Sequence, residues 1–216
     1  MLPSPVTEGL ALAIYAWIVV CLIYGRPRLP RRSASEVLPE AQGGSVPLEV
    51  VWLAALAAAF SYPLVVLLAP TTLLARPFAL QLAGDELVQV VGFTMVLVGG
   101  GILGSAFRAL GRFATVRIEI SRDHWIVREG PYARVRHPMY TANMLLSAGI
   151  ALTFLSVVLW LPVLIIVLVA RWRAGEEERV IVSSPRLRTE YEAYSARTGR
   201  FLPRWSRARD GPGSTH

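Results

Sequence analysis

The sequence predicts an all-α integral membrane protein of about five transmembrane helices, ending in a helical hairpin that brings a polar pocket to the cytoplasmic face. Three observations predict it. Hydrophobic residues make up 54% of the 216 residues and the mean hydropathy is +0.47, far more apolar than a globular core of this size requires. Four long apolar runs carry most of that excess, at residues 9–25, 46–70, 86–107 and 141–170. The 22 basic residues are all Arg and fall almost wholly into three of the intervening segments, so charge dictates how the runs cross.

The first run follows Glu8 and no basic residue, so it lacks the positive leader of a cleaved signal peptide and reads as a retained helix. Cys21, the single cysteine, lies inside it, which excludes an intrachain disulfide and leaves a packing role. Residues 27–44, rich in Pro, Ser, Gly and Arg, read as a mobile loop. The second run holds Glu49 one turn in, where its carboxylate is expected to snorkel to the interface. Pro63 is expected to kink that helix, with the freed carbonyls satisfied by a neighbour. Gly100 and Gly104 in the third run form a small-residue spacing that admits close helix packing.

Each of these three runs can cross a hydrocarbon core of about 30 Å as one helix. The fourth, Thr141 to Ala170, is different: as a single helix it would be about 45 Å long. A tight hairpin of two short or tilted helices fits better, turning near Thr153 to Ser156 and kinked again at Pro162. Charge agrees. Arg26, Arg28, Arg31 and Arg32 precede the second run, seven Arg lie between Arg108 and Arg136, and ten follow from Arg171 onward. Only Arg76 is left over, so 21 of the 22 Arg share the cytoplasmic side if the last run returns on itself. The expected topology is N-terminus outside and C-terminus inside a bacterial plasma membrane, the absence of Lys being the habit of a GC-rich genome. The pI near 10.3 then reports topology and contact with anionic lipid rather than nucleic acid, for which no motif is present. By organisation the chain divides into membrane helices at 1–85, a catalytic region at 86–205 and a polar tail at 206–216.

Chemistry concentrates at the two ends of the fourth run. Before it stands Gly130-Pro131-Tyr132-Ala133-Arg134-Val135-Arg136-His137-Pro138-Met139-Tyr140, and after it Arg173-Ala174-Gly175-Glu176-Glu177-Glu178. Pro138 suits the first turn of a helix, which puts His137 at the helix start, where unpaired N–H groups and the dipole favour a carboxylate-bearing ligand. Arg134, Arg136, Tyr132 and Tyr140 surround it with charge and donors. An aromatic interfacial belt with snorkelling Arg would explain this cluster alone, but not consecutive Glu residues directly after a membrane helix. Arg173 lies four and five residues before Glu177 and Glu178, so a continuing helix sets all three on one face, with a local salt bridge as the plain alternative.

The order of His124-Trp125-Ile126-Val127, Gly130-Pro131-Tyr132, Arg136-His137-Pro138-Met139-Tyr140, Arg173 with Glu177-Glu178, and then Tyr191 and Tyr194 resembles the isoprenylcysteine carboxyl methyltransferase family and its relatives among membrane phospholipid methyltransferases. The resemblance covers roughly residues 86–205. It implies an S-adenosylmethionine-dependent methyltransferase whose cytoplasmic pocket is a cofactor pocket. His124, Trp125, Ile126, Val127, Tyr132, Arg136, His137, Pro138, Met139 and Tyr140 would bind the cofactor. Arg173, Glu177 and Glu178 would be catalytic at the methyl-acceptor side. Ala142, the stretch Ser184-Pro185-Arg186-Leu187 and Gly199 depart from the family pattern, and they bear on the acceptor more than on the cofactor.

The implied partners are a lipophilic or lipid acceptor and the membrane itself, with no metal and no nucleic acid. Were the acceptor a carboxylate, Arg173 could hold it as a bidentate pair. Were it a thiol or amine, Glu177 or Glu178 could take its proton or stabilise its cation. Two other readings compete: a sterol-reductase-like membrane oxidoreductase using a nicotinamide cofactor, and a non-catalytic membrane scaffold or transport protein.

Overall fold

The computed structural model describes residues 4–26, 39–69, 84–111, 118–121 and 126–204. Six helices dominate: α1 (Ser4–Tyr24), α2 (Val46–Leu68), α3 (Asp85–Leu110), α4 (Pro138–Thr153), α5 (Trp160–Ser183) and α6 (Pro185–Arg197). A 3-10 turn, Gly130–Ala133, leads into α4. One antiparallel pair, β1 (Pro39–Gly43) with β2 (Ile118–Ser121), packs beside α5. The ribbon was not expected, since β1 lies at the end of the stretch read as a loop; Pro39-Glu40-Ala41-Gln42-Gly43 has no alternating apolar pattern, and only pairing with a distant segment makes it a strand. The remainder of that loop, and the tail 206–216, lie outside the described residues.

Among the described residues three helices are long and apolar enough to cross a membrane: Pro5–Tyr24, Val46–Leu68 and Asp85–Leu110. Their apolar residues point outward as well as inward. Leu12, Ile23, Val50, Leu53 and Leu87 are all exposed, the mark of helices whose solvent is lipid. The fourth run does divide into two helices, with the turn at residues 154–159, and α4 begins at Pro138 as expected. Leu155 in that turn adopts φ 50° and is nevertheless buried. With 16 residues α4 is about 24 Å long, and α5 turns polar at Arg171.

Glycine sets the helix spacing. A Cβ on Gly92 would lie 2.5 Å from the Thr153 nitrogen, and one on Gly149 would lie 2.7 Å from the Gly92 oxygen, so α3 and α4 touch backbone to backbone. Gly100 and Gly104 serve α1, meeting Trp17 and the Cys21 carbonyl, as the spacing suggested; Cys21 itself is buried packing. Near Pro63 the Tyr15 hydroxyl of α1 inserts into the α2 ladder, donating to the Phe60 oxygen (2.9 Å) and accepting from the Leu64 N–H (2.9 Å). A neighbouring helix thus satisfies the groups around this proline. Pro162 is a correction: it falls in the first turn of α5, where a missing N–H breaks no intrahelical bond, rather than at an interior kink.

Direction alternates from helix to helix, α1 lying parallel to α3 and antiparallel to α2. Two ends result. One gathers the end of α1, the start of α2, the end of α3, the start of α4 and the polar half of α5, joined by bonds such as Arg108 to the Tyr24 oxygen (3.3 Å). The other holds Glu8, Asp85, Glu86 and the 154–159 turn, tied by Gln89 donating to the Thr153 oxygen (2.8 Å). Among the described residues every Arg belongs to the first end.

Candidate functional site

The polar end is organised by two helices that begin and finish there. α4 starts with Pro138, whose ring presets the first turn, and this aims His137 and Tyr140 toward α5. α5 continues helical through Arg173-Ala174-Gly175-Glu176-Glu177-Glu178, so its charged stretch runs past the start of α4. His137 is buried, and each ring nitrogen faces a carboxylate: Nδ1 lies 3.2 Å from Glu177 Oε2 and Nε2 lies 3.0 Å from Glu178 Oε1. A ring placed between two carboxylate oxygens must donate on both sides, which is the imidazolium form. Burial opposes that charge, but the hydrogen bonds His137 donates to Glu177 and Glu178, with the charges of both, outweigh it and raise the His137 pKa above its ordinary 6.5.

Glu178 is the most heavily bonded acceptor. Arg136 Nε (3.2 Å), Arg200 Nε (3.2 Å) and Arg200 NH2 (3.1 Å) converge on it together with His137. Burial alone would raise its pKa, yet His137, Arg200 and Arg136 together bring it down to about 2. Glu177 accepts from the Tyr140 hydroxyl, which in turn accepts from Arg173 Nε at 3.1 Å. Beyond Arg173 the line ends on Glu49 of α2, 3.6 Å from NH1. The chain of contacts therefore reads Glu49, Arg173, Tyr140, Glu177, His137, Glu178, its three carboxylates half-buried and the other members buried, and it links three helices.

The segment after α6 lies over this network. Arg136 N–H donates to the Gly199 oxygen (2.8 Å), His137 N–H to the Arg200 oxygen (3.1 Å), and Thr141 Oγ1 to the Phe201 oxygen (2.7 Å). Gly199 has a reason here: any Cβ would lie 1.7 Å from the Leu202 oxygen. Tyr194 donates to the Tyr132 oxygen (2.7 Å), and both phenols are held above their usual pKa mainly by burial, Tyr194 at about 12.

A family comparison decides what this end belongs to. The phospholipid methyltransferase profile matches residues 87–184, from the first turn of α3 to the end of α5. This stretch belongs to the phospholipid methyltransferase family. The match agrees with the resemblance carried by the motif order. A search of curated proteins finds no match.

Within this methyltransferase domain the structure brings Tyr132, Arg136, His137, Pro138, Met139 and Tyr140 together with Arg173, Glu177 and Glu178 at one end of the bundle. Ile126 and Val127 stand half-buried just before the 3-10 turn and take no part in the polar chain; His124 and Trp125 lie outside the described residues. Arg134 is exposed. Arg173, for which a local salt bridge to Glu177 or Glu178 was the plain alternative, reaches across to Tyr140 and Glu49, whereas Glu176, the outer member of the triple, pairs with Arg179. Sequence reading also separated a cofactor cluster from an acceptor cluster, but His137 joins them directly.

Glu49, Arg200 and Phe201 were missed as members of the site. For Glu49 the expectation of snorkelling is overturned: its side chain is 16% exposed and directed to Arg173. An ionisable residue inside an apolar helix was the available signal. Arg200 and Phe201 had no signal beyond the nearby tyrosines.

Proposed function

We propose that the chain is an integral membrane methyltransferase that uses S-adenosylmethionine to methylate an amine or thiol on a lipophilic acceptor entering from the bilayer. The catalytic region is residues 86–205, joined by Glu49. The observation that carries the choice of acceptor is the exposure of Glu177 beside a buried Arg173: the guanidinium is 4% exposed, donates from Nε to Tyr140 and lies 3.6 Å from Glu49, whereas the Glu177 carboxylate is open to an incoming group. Glu177 is the most exposed carboxylate of the cluster, at 30%, against 22% for Glu178 and 16% for Glu49.

The donor set suits S-adenosylmethionine chemically. Aromatic faces at Tyr140 and Phe201 and the carboxylate of Glu177 match a sulfonium, while half-exposed Arg200 suits the carboxylate of an amino-acid end. Tyr132, Arg136, His137, Pro138, Met139 and Tyr140, with Ile126, Val127, His124 and Trp125, are the proposed cofactor-binding residues. When bound, the sulfonium supplies an electrophilic methyl group. The residues do the rest: Glu177 accepts the acceptor's proton or steadies its cation, Tyr140 and His137 fix the two oxygens of Glu177, and Glu178 ties the C-terminal segment over the site.

The proposed topology has five crossings, the α4 and α5 hairpin providing the last two, with the N-terminus outside and the Arg-rich end in the cytoplasm of a bacterial cell. The test is calorimetry in detergent together with transfer of labelled methyl from S-adenosylmethionine into membrane lipid extract. Binding of S-adenosylmethionine and its demethylated product, with label in amine- or thiol-bearing lipid, is expected. Heat with a reduced nicotinamide and none with either sulfur compound would transfer the chain to the reductase class, and label in carboxylate esters alone would reverse the acceptor assignment.

A further inference from the structure

Glu49 lies on α2, outside residues 87–184, and is the carboxylate that helix contributes to the polar chain. Its surroundings tie it to two members of that chain. The carboxylate sits 3.6 Å from Arg173 NH1, while Trp52, one turn along α2, packs edge-on against Tyr140 with ring centroids 5.5 Å apart. One turn of α2 therefore holds both residues, Arg173 by charge and Tyr140 by its ring. Tyr140 and Arg173 are in turn bonded to each other at 3.1 Å. A guanidinium with this little exposure retains one orientation only if a partner fixes it, and that orientation decides whether the Tyr140 hydroxyl keeps donating to Glu177.

We propose that Glu49 is a positioning residue for methyl transfer, acting through Arg173 and Tyr140 to hold Glu177 in its working orientation. The proposal rests on the methyltransferase reading for its kinetic test, though not for the coupling between Glu49 and Arg173. Removing the Glu49 charge would release Arg173 toward Glu177 and pair the group needed by the acceptor.

The experiment uses the full chain in detergent, with Glu49→Gln, Glu49→Asp, Arg173→Gln and the double variant Glu49→Gln/Arg173→Gln. Binding is read with S-adenosylhomocysteine, turnover with labelled S-adenosylmethionine and vesicles of total membrane lipid, and folding by the melting temperature. Glu49→Gln is expected to lower turnover at least tenfold and to leave S-adenosylhomocysteine affinity within about twofold, with Glu49→Asp restoring part of the rate. In the Arg173→Gln background the same change is expected to add almost nothing to either turnover or melting temperature. Parallel loss of cofactor affinity, additive effects in the double variant, or a Glu49→Gln protein as fast as the parent would each overturn the proposal. If the parent chain bound no S-adenosylhomocysteine, the methyltransferase reading would fall by itself, and additive melting shifts across the four proteins would still reject the coupling.

Discussion

His137 and Glu178 show how much of this site is carried by two titrations of opposite sense. His137 has a folded pKa above 6.5, so its contribution to stability is complete below about pH 6.5 and is lost as pH rises through the raised value. Glu178, held at about 2 against an ordinary 4.5, contributes fully above about pH 4.5 and loses that contribution as pH falls toward 2. Both act together between those limits. His137→Ala should therefore lower the melting temperature most near pH 6 and progressively less at higher pH, which melting curves in detergent across pH 5 to 9 would check. Glu178→Gln leaves Arg136 and Arg200 without their shared acceptor; we expect a loss of about 2 kcal/mol at neutral pH, from the usual worth of hydrogen bonds to charged groups, and weaker S-adenosylhomocysteine binding as the C-terminal segment loosens. A melting curve unchanged by Glu178→Gln would contradict this assignment.

Among the elements, the informative cases are those where backbones approach too closely for a side chain. Gly199 permits the turn that returns Arg200 to Glu178, and Gly199→Ala is expected to cost about 1–3 kcal/mol and to weaken cofactor binding, because relief of the Leu202 clash must move Arg200. Gly101 is the control, since a Cβ there meets nothing within 4 Å and Gly101→Ala should be neutral or slightly stabilising. Tyr15→Phe removes both bonds that α1 makes beside Pro63 and should cost about 1–2 kcal/mol, without altering cofactor affinity. Comparing melting temperature with calorimetric affinity separates the two kinds of loss: Gly199→Ala should move both, Tyr15→Phe only the first. Apolar runs and helix-starting prolines made the helices themselves legible. The β1 and β2 ribbon was not, because five residues without alternation become a strand only when another backbone supplies the pairing.

Across the molecule, alternation of helix direction sorts charge to the two ends. Arg108, Arg136 and Arg173 stand at one end and Asp85 and Glu86 at the other, and by the positive-inside rule this sorting supports the proposed orientation, with the Arg-rich end in the cytoplasm. In a Cys21→Ala background, a cysteine replacing exposed Arg188 should resist a membrane-impermeant thiol reagent applied to intact cells and react after lysis, whereas one replacing exposed Glu86 should label from outside. Labelling of the Arg188 position in intact cells would invert the molecule and place the site on the wrong face for a cytoplasmic cofactor.

By itself the sequence determined what depends on order along the chain and on total composition: lipid as the solvent, a hairpin in the fourth run, His137 at a helix start, and Arg173 on one helix with Glu177 and Glu178. Only the tertiary structure decided who pairs with whom. Arg173 has three acidic neighbours within five residues along its own helix, yet it reaches Tyr140 and Glu49 on other helices. Local spacing favours a pair only by a few tenths of a kcal/mol at a wet helix surface, whereas a buried guanidinium takes whichever acceptors the packed helices bring to it. Close packing of α2 against α4 and α5, through Trp52, Tyr140 and Ala170, is what brings Glu49 there. Such partner choice is a property of how helices touch, and no spacing within one helix encodes it.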